Sequence, residues 1–199
     1  MRKGKLGFLI LAALMLMAVM PANVALAAHG AFSATAQIVQ RNPGIQTLVP
    51  DCGLLPVPVL GAVVTGEVFD GTFGVVSGNS VVRGSNVSAT QDATLCFIGA
   101  PDPSGNVPFV GAVRGVATIT KGAKSGSLVA AYGAGVSGTL NLNTGGISVS
   151  WIPGTGAWGA LAATGNYAGL VGHGGPASAT AASAVGPSPE VGSLTISSP

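Results

Sequence analysis

The stretch Val136-Ser137-Gly138-Thr139-Leu140-Asn141-Leu142-Asn143-Thr144-Gly145-Gly146-Ile147-Ser148-Val149-Ser150-Trp151-Ile152 decides the fold. Val136, Leu140 and Leu142 alternate with Ser137, Thr139 and Asn141, and Ile147, Val149 and Trp151 alternate with Ser148 and Ser150. A period of two is the mark of a half-buried strand, because successive side chains point to opposite faces of a sheet. Between the two runs, Asn143-Thr144-Gly145-Gly146 supplies residues that enter positive φ at little steric cost, so the segment reads as a β-hairpin closed by that turn. Shared parity puts Leu140, Leu142, Ile147, Val149 and Trp151 on one buried face.

Shorter runs of the same kind occur on both sides: Phe32 to Val39, Ala62 to Phe69, Phe73 to Val76, Ser80 to Arg83, Val87 to Thr90, Thr94 to Ile98, Phe109 to Thr120, Leu128 to Tyr132, Ala157 to Ala162 and Tyr167 to Val171. Beyond residue 27 there is no Met, only two Glu and two Lys, but 30 Gly and 22 Val. Straight-chain helix formers are scarce, and no window repeats apolar residues at i, i+3, i+4 and i+7 without Gly or Pro. The expected fold class is all-β, a single antiparallel β-barrel or β-sandwich of about ten short strands. Leu, Ile, Val and Phe make up about 26% of this part, above the roughly 20% below which chains fail to bury a core.

Residues 1–27 read as an export signal: Arg2, Lys3 and Lys5 form a basic start, Leu6 to Met20 is unbroken apolar sequence, and Ala25-Leu26-Ala27 offers small residues for cleavage after Ala27. The apolar run is shorter than the roughly 20 residues of a membrane span, so no stable anchor is expected after cleavage. The β domain is expected over 28–175. Residues 176–199 form an Ala/Ser/Pro-rich, low-complexity tail, in which Ala177 to Ala184 and Ser193 to Ser197 leave open the alternative of closing strands.

A secreted or extracytoplasmic location is oxidising, and the only two cysteines, Cys52 and Cys96, are expected to form one disulfide. Closing a loop of that length is worth roughly 4 kcal/mol on the chain-entropy estimate. Pro50 to Pro58 reads as an extended loop pinned by Cys52.

Five basic against six acidic residues leave the chain after residue 27 at −1, with no Lys/Arg stripe for phosphates, so nucleic acid is not an expected partner. No CxxC or HExxH spacing suggests a metal, no Gly-x-Ser-x-Gly elbow follows the leader, and no glycine-rich stretch carries the Lys-Ser/Thr of a phosphate loop. The expectation is therefore no metal, no cofactor and no assigned catalytic residue. Glu67 with Asp70, or Asp92 with Asp102, could be drawn into a pair for acid–base work, and Asp70-Gly71 and Asp102-Pro103 are also turn signatures.

The stretch Thr164-Gly165-Asn166-Tyr167-Ala168-Gly169-Leu170-Val171-Gly172-His173-Gly174 resembles a closing motif of small secreted barrels of the allene oxide cyclase and dirigent-type, calycin-like group. The resemblance implies an aromatic packed under the barrel and an apolar cavity. It carries over none of those enzymes' catalytic residues, whose motifs are absent. The expected wall of such a cavity is Trp151, Trp158, Tyr132, Tyr167 and Phe109, with His173 as the polar group at the rim.

Two functions follow as expectations. The first is a secreted, non-enzymatic structural or interaction protein, prone to self-association through strand edges because its strands carry little charge. The second is a barrel that binds, or also isomerises, an apolar small molecule.

Overall fold

The computed structural model describes residues 31–78, 81–122, 124–186 and 188–199. The expected export signal, residues 1–27, lies outside them. The described chain forms ten strands: β1 (Phe32–Asn42), β2 (Ile45–Val49), β3 (Gly61–Ser77), β4 (Asn86–Phe97), β5 (Asn106–Thr120), β6 (Ser127–Asn141), β7 (Ile147–Trp151), β8 (Ala157–Ala163), β9 (Gly174–Ser183) and β10 (Val191–Ser198).

All pairings are antiparallel, and the sheet closes on itself because β1 pairs both β10 and β3. The molecule is a barrel, not a sandwich. β2 continues β1 along β3 past a turn at Gly44, and β7 and β8 lie end to end between β6 and β9. That leaves eight strand rows around the wall, a girth that side chains can just fill or that can hold one small ligand.

Alternation sets what faces inward. Phe32, Ala34, Ala36, Ile38 and Gln40 of β1 are buried in sequence, as are Val87, Ala89, Ala93 and Leu95 of β4. On β3 the parity changes where the register against β4 shifts between Val64 and Glu67, with Gly66 at φ 69°. That bulge lets Val64 and Glu67 both turn inward.

The hairpin at Val136–Ile152 forms as β6 and β7, with Leu140 opposite Ile147 and Val136 opposite Trp151. Its turn begins one residue earlier than the sequence suggests. Leu142 sits in it, 58% exposed, so the expected burial of Leu142 is corrected. The reason is Asn141, whose side-chain Oδ1 accepts the N–H groups of Asn143 and Thr144 and so ends the strand there.

Two expected strands are not strands. Val81 to Gly84 is a turn folded under the barrel, and Gly165–Leu170 is a 3-10 helix that buries Tyr167 and Leu170. Positive φ at Gly165 and Gly172 lets the chain enter and leave this short helix. The low-complexity stretch from 176 onward supplies most of β9 and all of β10, which complete the wall, so the barrel extends through this segment.

Cys52 and Cys96 form a disulfide that ties the loop between β2 and β3 to the end of β4. Among the described residues β2 pairs only β3, and Ile45 and Leu48 on it are more than 70% exposed.

Candidate functional site

One half of the barrel is filled. Phe32, Phe73, Leu128, Val82, Trp158, Tyr167 and Leu170 form a continuous buried cluster at the end where the 3-10 helix enters. The Tyr167 hydroxyl lies 2.7 Å from Ser85 Oγ, both fully buried, and Trp158 Nε1–H donates to the Ser197 carbonyl at 2.8 Å. Large side chains whose polar tips are satisfied make a plug.

The other half is not filled. A cavity of about 180 Å³ runs into the lumen, its wall including Val64, Val113, Leu140, Val149, Tyr132 and Trp151. It is open because Ala89, Ala93, Ala179 and Ala181 stand on the facing strands where larger side chains would meet across the axis. Gly115, opposite Tyr132 on the neighbouring strand, makes room for its ring: a Cβ there would come within 2.5 Å of the Tyr132 hydroxyl. Tyr132 in turn stacks on Trp151, with ring centroids 5.8 Å apart and planes at 21°.

The floor of this apolar space is polar. The chain's only two glutamates, Glu67 and Glu190, both line it, at 7% and 9% exposure. Gln40 Nε2 donates to Glu67 Oε1 at 2.6 Å, and Gln91 Nε2 donates to Glu67 Oε2 at 2.7 Å. Tyr132 O–H donates to Gln91 Oε1 at 3.2 Å. Glu190 is held less closely: Gln40 Nε2 is 3.4 Å from its Oε1, and its own N–H reaches Gln40 Oε1 at 3.4 Å. Its position comes from the backbone, where Gln40 N–H donates to the Glu190 carbonyl at 2.8 Å.

Burial disfavours the charged form of every acid here. It lifts the Glu67 carboxyl above its ordinary value, against the pull of the Gln91 and Gln40 donors. Burial, and after it the neighbouring charge of Glu67, pushes Glu190 up to about 7. The same two causes raise the Tyr132 phenol, so it stays a neutral donor. The donors around Glu67 favour its ionised form, and Glu190, with no donor as close, is the more readily protonated of the two.

Of the residues expected to form a cavity wall, Trp151 and Tyr132 do so. Phe109 is fully buried beside them, among Val64, Leu95 and Val136, but does not line the space. Trp158 and Tyr167 belong to the plug, where long side chains close the barrel, and Tyr167 also borders a second, more open concavity of about 430 Å³ with Arg83 and Lys121. His173 follows the 3-10 helix, its N–H donating to Leu170 and its carbonyl accepting from Ala160, and so stands at the plugged end and not at the cavity's rim.

Glu67 meets Glu190 and not Asp70. Asp70 faces outward in an ion pair with Arg41, Asp92 accepts the Gly66 N–H, and Asp102 organises the turn before β5. Hydrogen bonds from Asn106 and Ser104 hold the Asp102 carboxyl below its ordinary value, the signature of a turn residue. Among the described residues no group of three or more His, Cys, Asp or Glu is placed to hold a metal, and no helix is long and apolar enough to cross a membrane. The chain matches no family model, no curated protein and no solved structure.

Proposed function

We propose that this is a secreted, non-enzymatic binding protein whose barrel lumen takes up an apolar small molecule. The observation that carries the reading is the cavity itself: about 180 Å³ of apolar space beside a buried carboxyl, carboxamide and phenol network, in a barrel whose opposite half is packed solid. An engineered apolar cavity of roughly 150 Å³ already admits benzene, so a ligand of about one ring and a short arm fits. Leaving such space costs stability, on the order of 20–25 cal/mol per Å³, and a ligand recovers it.

The test is a titration of intrinsic fluorescence, in which Trp151 reports from the cavity wall, with thermal melts in parallel and a panel of fatty acids, terpenoids, phenolics and arylalkylamines. The expected result is a saturable change with a rise in melting temperature for part of the panel, both lost in the cavity-filling variant Ala93→Leu. No response to any compound, or an undiminished response in Ala93→Leu, contradicts the reading.

A second reading, isomerisation of the bound molecule, is favoured by one feature: Glu190 and Glu67 differ in their hold on a proton within a single apolar site. Incubating a bound enolisable ketone in deuterated water tests it. Protein-dependent deuterium uptake that Glu67→Gln abolishes supports proton transfer, and uptake no faster than in buffer leaves binding alone.

A further inference from the structure

The charges and donors around the lumen are unbalanced. Six polar side chains line it, Gln46, Glu67, Gln91, Tyr132, Thr180 and Glu190, and among the described residues no Lys, Arg or His does. The nearest cation on the adjoining strand, Arg41, is turned outward to Asp70, and Arg114 of β5 is exposed. Gln40, Gln91 and Tyr132 already direct N–H or O–H groups into the network, chiefly toward Glu67. Glu190 is nine-tenths buried and lines the space, and among the described residues its carboxyl has one donor, Gln40 Nε2, at 3.4 Å. A buried carboxylate without a close donor or a cation is costly, and the missing partner is a positive donor. The same space is lined by the stacked Tyr132–Trp151 pair, and aromatic ring faces attract cations.

We propose that the lumen selects an organic ammonium, a primary amine on a short aryl or alkyl body, with its charge on the cavity side of Glu190 and Glu67 and its apolar part along Tyr132, Trp151 and Val149. This rests on the reading of the lumen as a ligand site and adds the chemistry of the ligand. An ammonium brings closer donors than the one Gln40 offers Glu190, and a positive charge to a space lined by two carboxyls and, among the described residues, no cation. A carboxylate or phosphate ligand would bring a third negative charge into the same space.

The titratable groups facing Glu190 are Glu67 from β3 and Tyr132 from β6. Asp70 and Arg41 are paired outside, and Asp92 is occupied at Gly66. Ammonium binding therefore requires Glu190 to give up its proton. It strengthens as pH rises through about 7 and levels off above.

The experiment is calorimetry on the purified protein with three probes of one shape: 2-phenylethylammonium, 2-phenylethanol and phenylacetate. At pH 8 the ammonium is expected to bind at least 30-fold more tightly than the alcohol and phenylacetate least of all. The advantage should shrink about tenfold at pH 5.5 and in Glu190→Gln. Binding near pH 7 should release up to one proton, seen as a dependence of the heat on buffer ionisation. Equal binding of ammonium and alcohol, or preference for phenylacetate, overturns the proposal while leaving the lumen a site for neutral ligands. No binding of any of the three, together with no response to the wider panel, overturns both. The wild-type pH profile and the three-probe comparison decide the matter even if Glu190→Gln fails to fold.

Discussion

The two ends of this barrel are built from the same strands by the same alternation, yet one end is solid and the other is hollow. At the plugged end Phe73, Leu128, Tyr167 and Leu170 are all but inaccessible, and even the hydroxyl of Tyr167 is met by Ser85. At the other end Leu140, Ile147, Val149 and Trp151 are only half-buried, alanines stand where partners would be, and two glutamates lie on the floor. The difference separates a half that supplies stability from a half that gives some up, which is the usual division between scaffold and site.

The largest effect expected from this contrast is on stability. Tyr167→Ala removes a fully buried ring and strands Ser85, and should cost about 3–5 kcal/mol in urea unfolding. Val149→Ala at the hollow end should cost about 1 kcal/mol or less, since its side chain faces open space. Similar losses for the two would break the comparison.

Next comes the disulfide, which fastens the loop between β2 and β3 at the hollow end. Replacing both Cys52 and Cys96 with Ala should lower stability by about 2–5 kcal/mol. Ligand affinity should fall with it, because β4, which carries Gln91 and Ala93, loses that anchor.

The third effect is a dependence on pH. Glu190 gives up its proton at about 7 when folded and near its ordinary 4.5 when unfolded. The folded state therefore holds more protons in between. Stability falls as pH rises from about 4.5 to about 7 and is level above that. Glu190→Gln lacks this slope and should exceed the natural protein above pH 7 by on the order of 2 kcal/mol. Parallel stability–pH curves for the two would show that Glu190 is not the buried acid described here.

A single methyl group sharpens the contrast locally. Gly115→Ala pushes a methyl group against the Tyr132 hydroxyl and the Thr90 carbonyl, for a cost of about 1–3 kcal/mol and a visible change in Trp151 emission through its stacked partner.

The plugged and hollow halves were unequally legible in the sequence. Period-two alternation revealed β6–β7 and most other strands, and the expectation of an export signal, with two cysteines, pointed to the disulfide. Closure into a barrel was not legible, because β1 meets β10 across nearly the whole chain and nothing local encodes that pairing. Tyr167 to Val171 reads as a short strand in the sequence, whereas positive φ at Gly165 and Gly172 accompanies a 3-10 helix over Gly165–Leu170. Glu190 was hidden in an Ala/Ser/Pro-rich stretch. A signal for the floor did exist: Gln40 shares the parity of Ala34, Ala36 and Ile38, and Gln91 that of Ala89 and Ala93, so each is a polar residue on an apolar face. Only the fold brings these residues and the two glutamates together.

The most direct test uses the two tryptophans, one in each half. Trp158→Phe leaves Trp151 at the cavity wall, and Trp151→Phe leaves Trp158 in the plug, 3% exposed. Acrylamide quenching of the two single-tryptophan proteins should be strong for Trp151 and weak for Trp158. Equal shielding of both would mean that the barrel is packed throughout and has no lumen to fill.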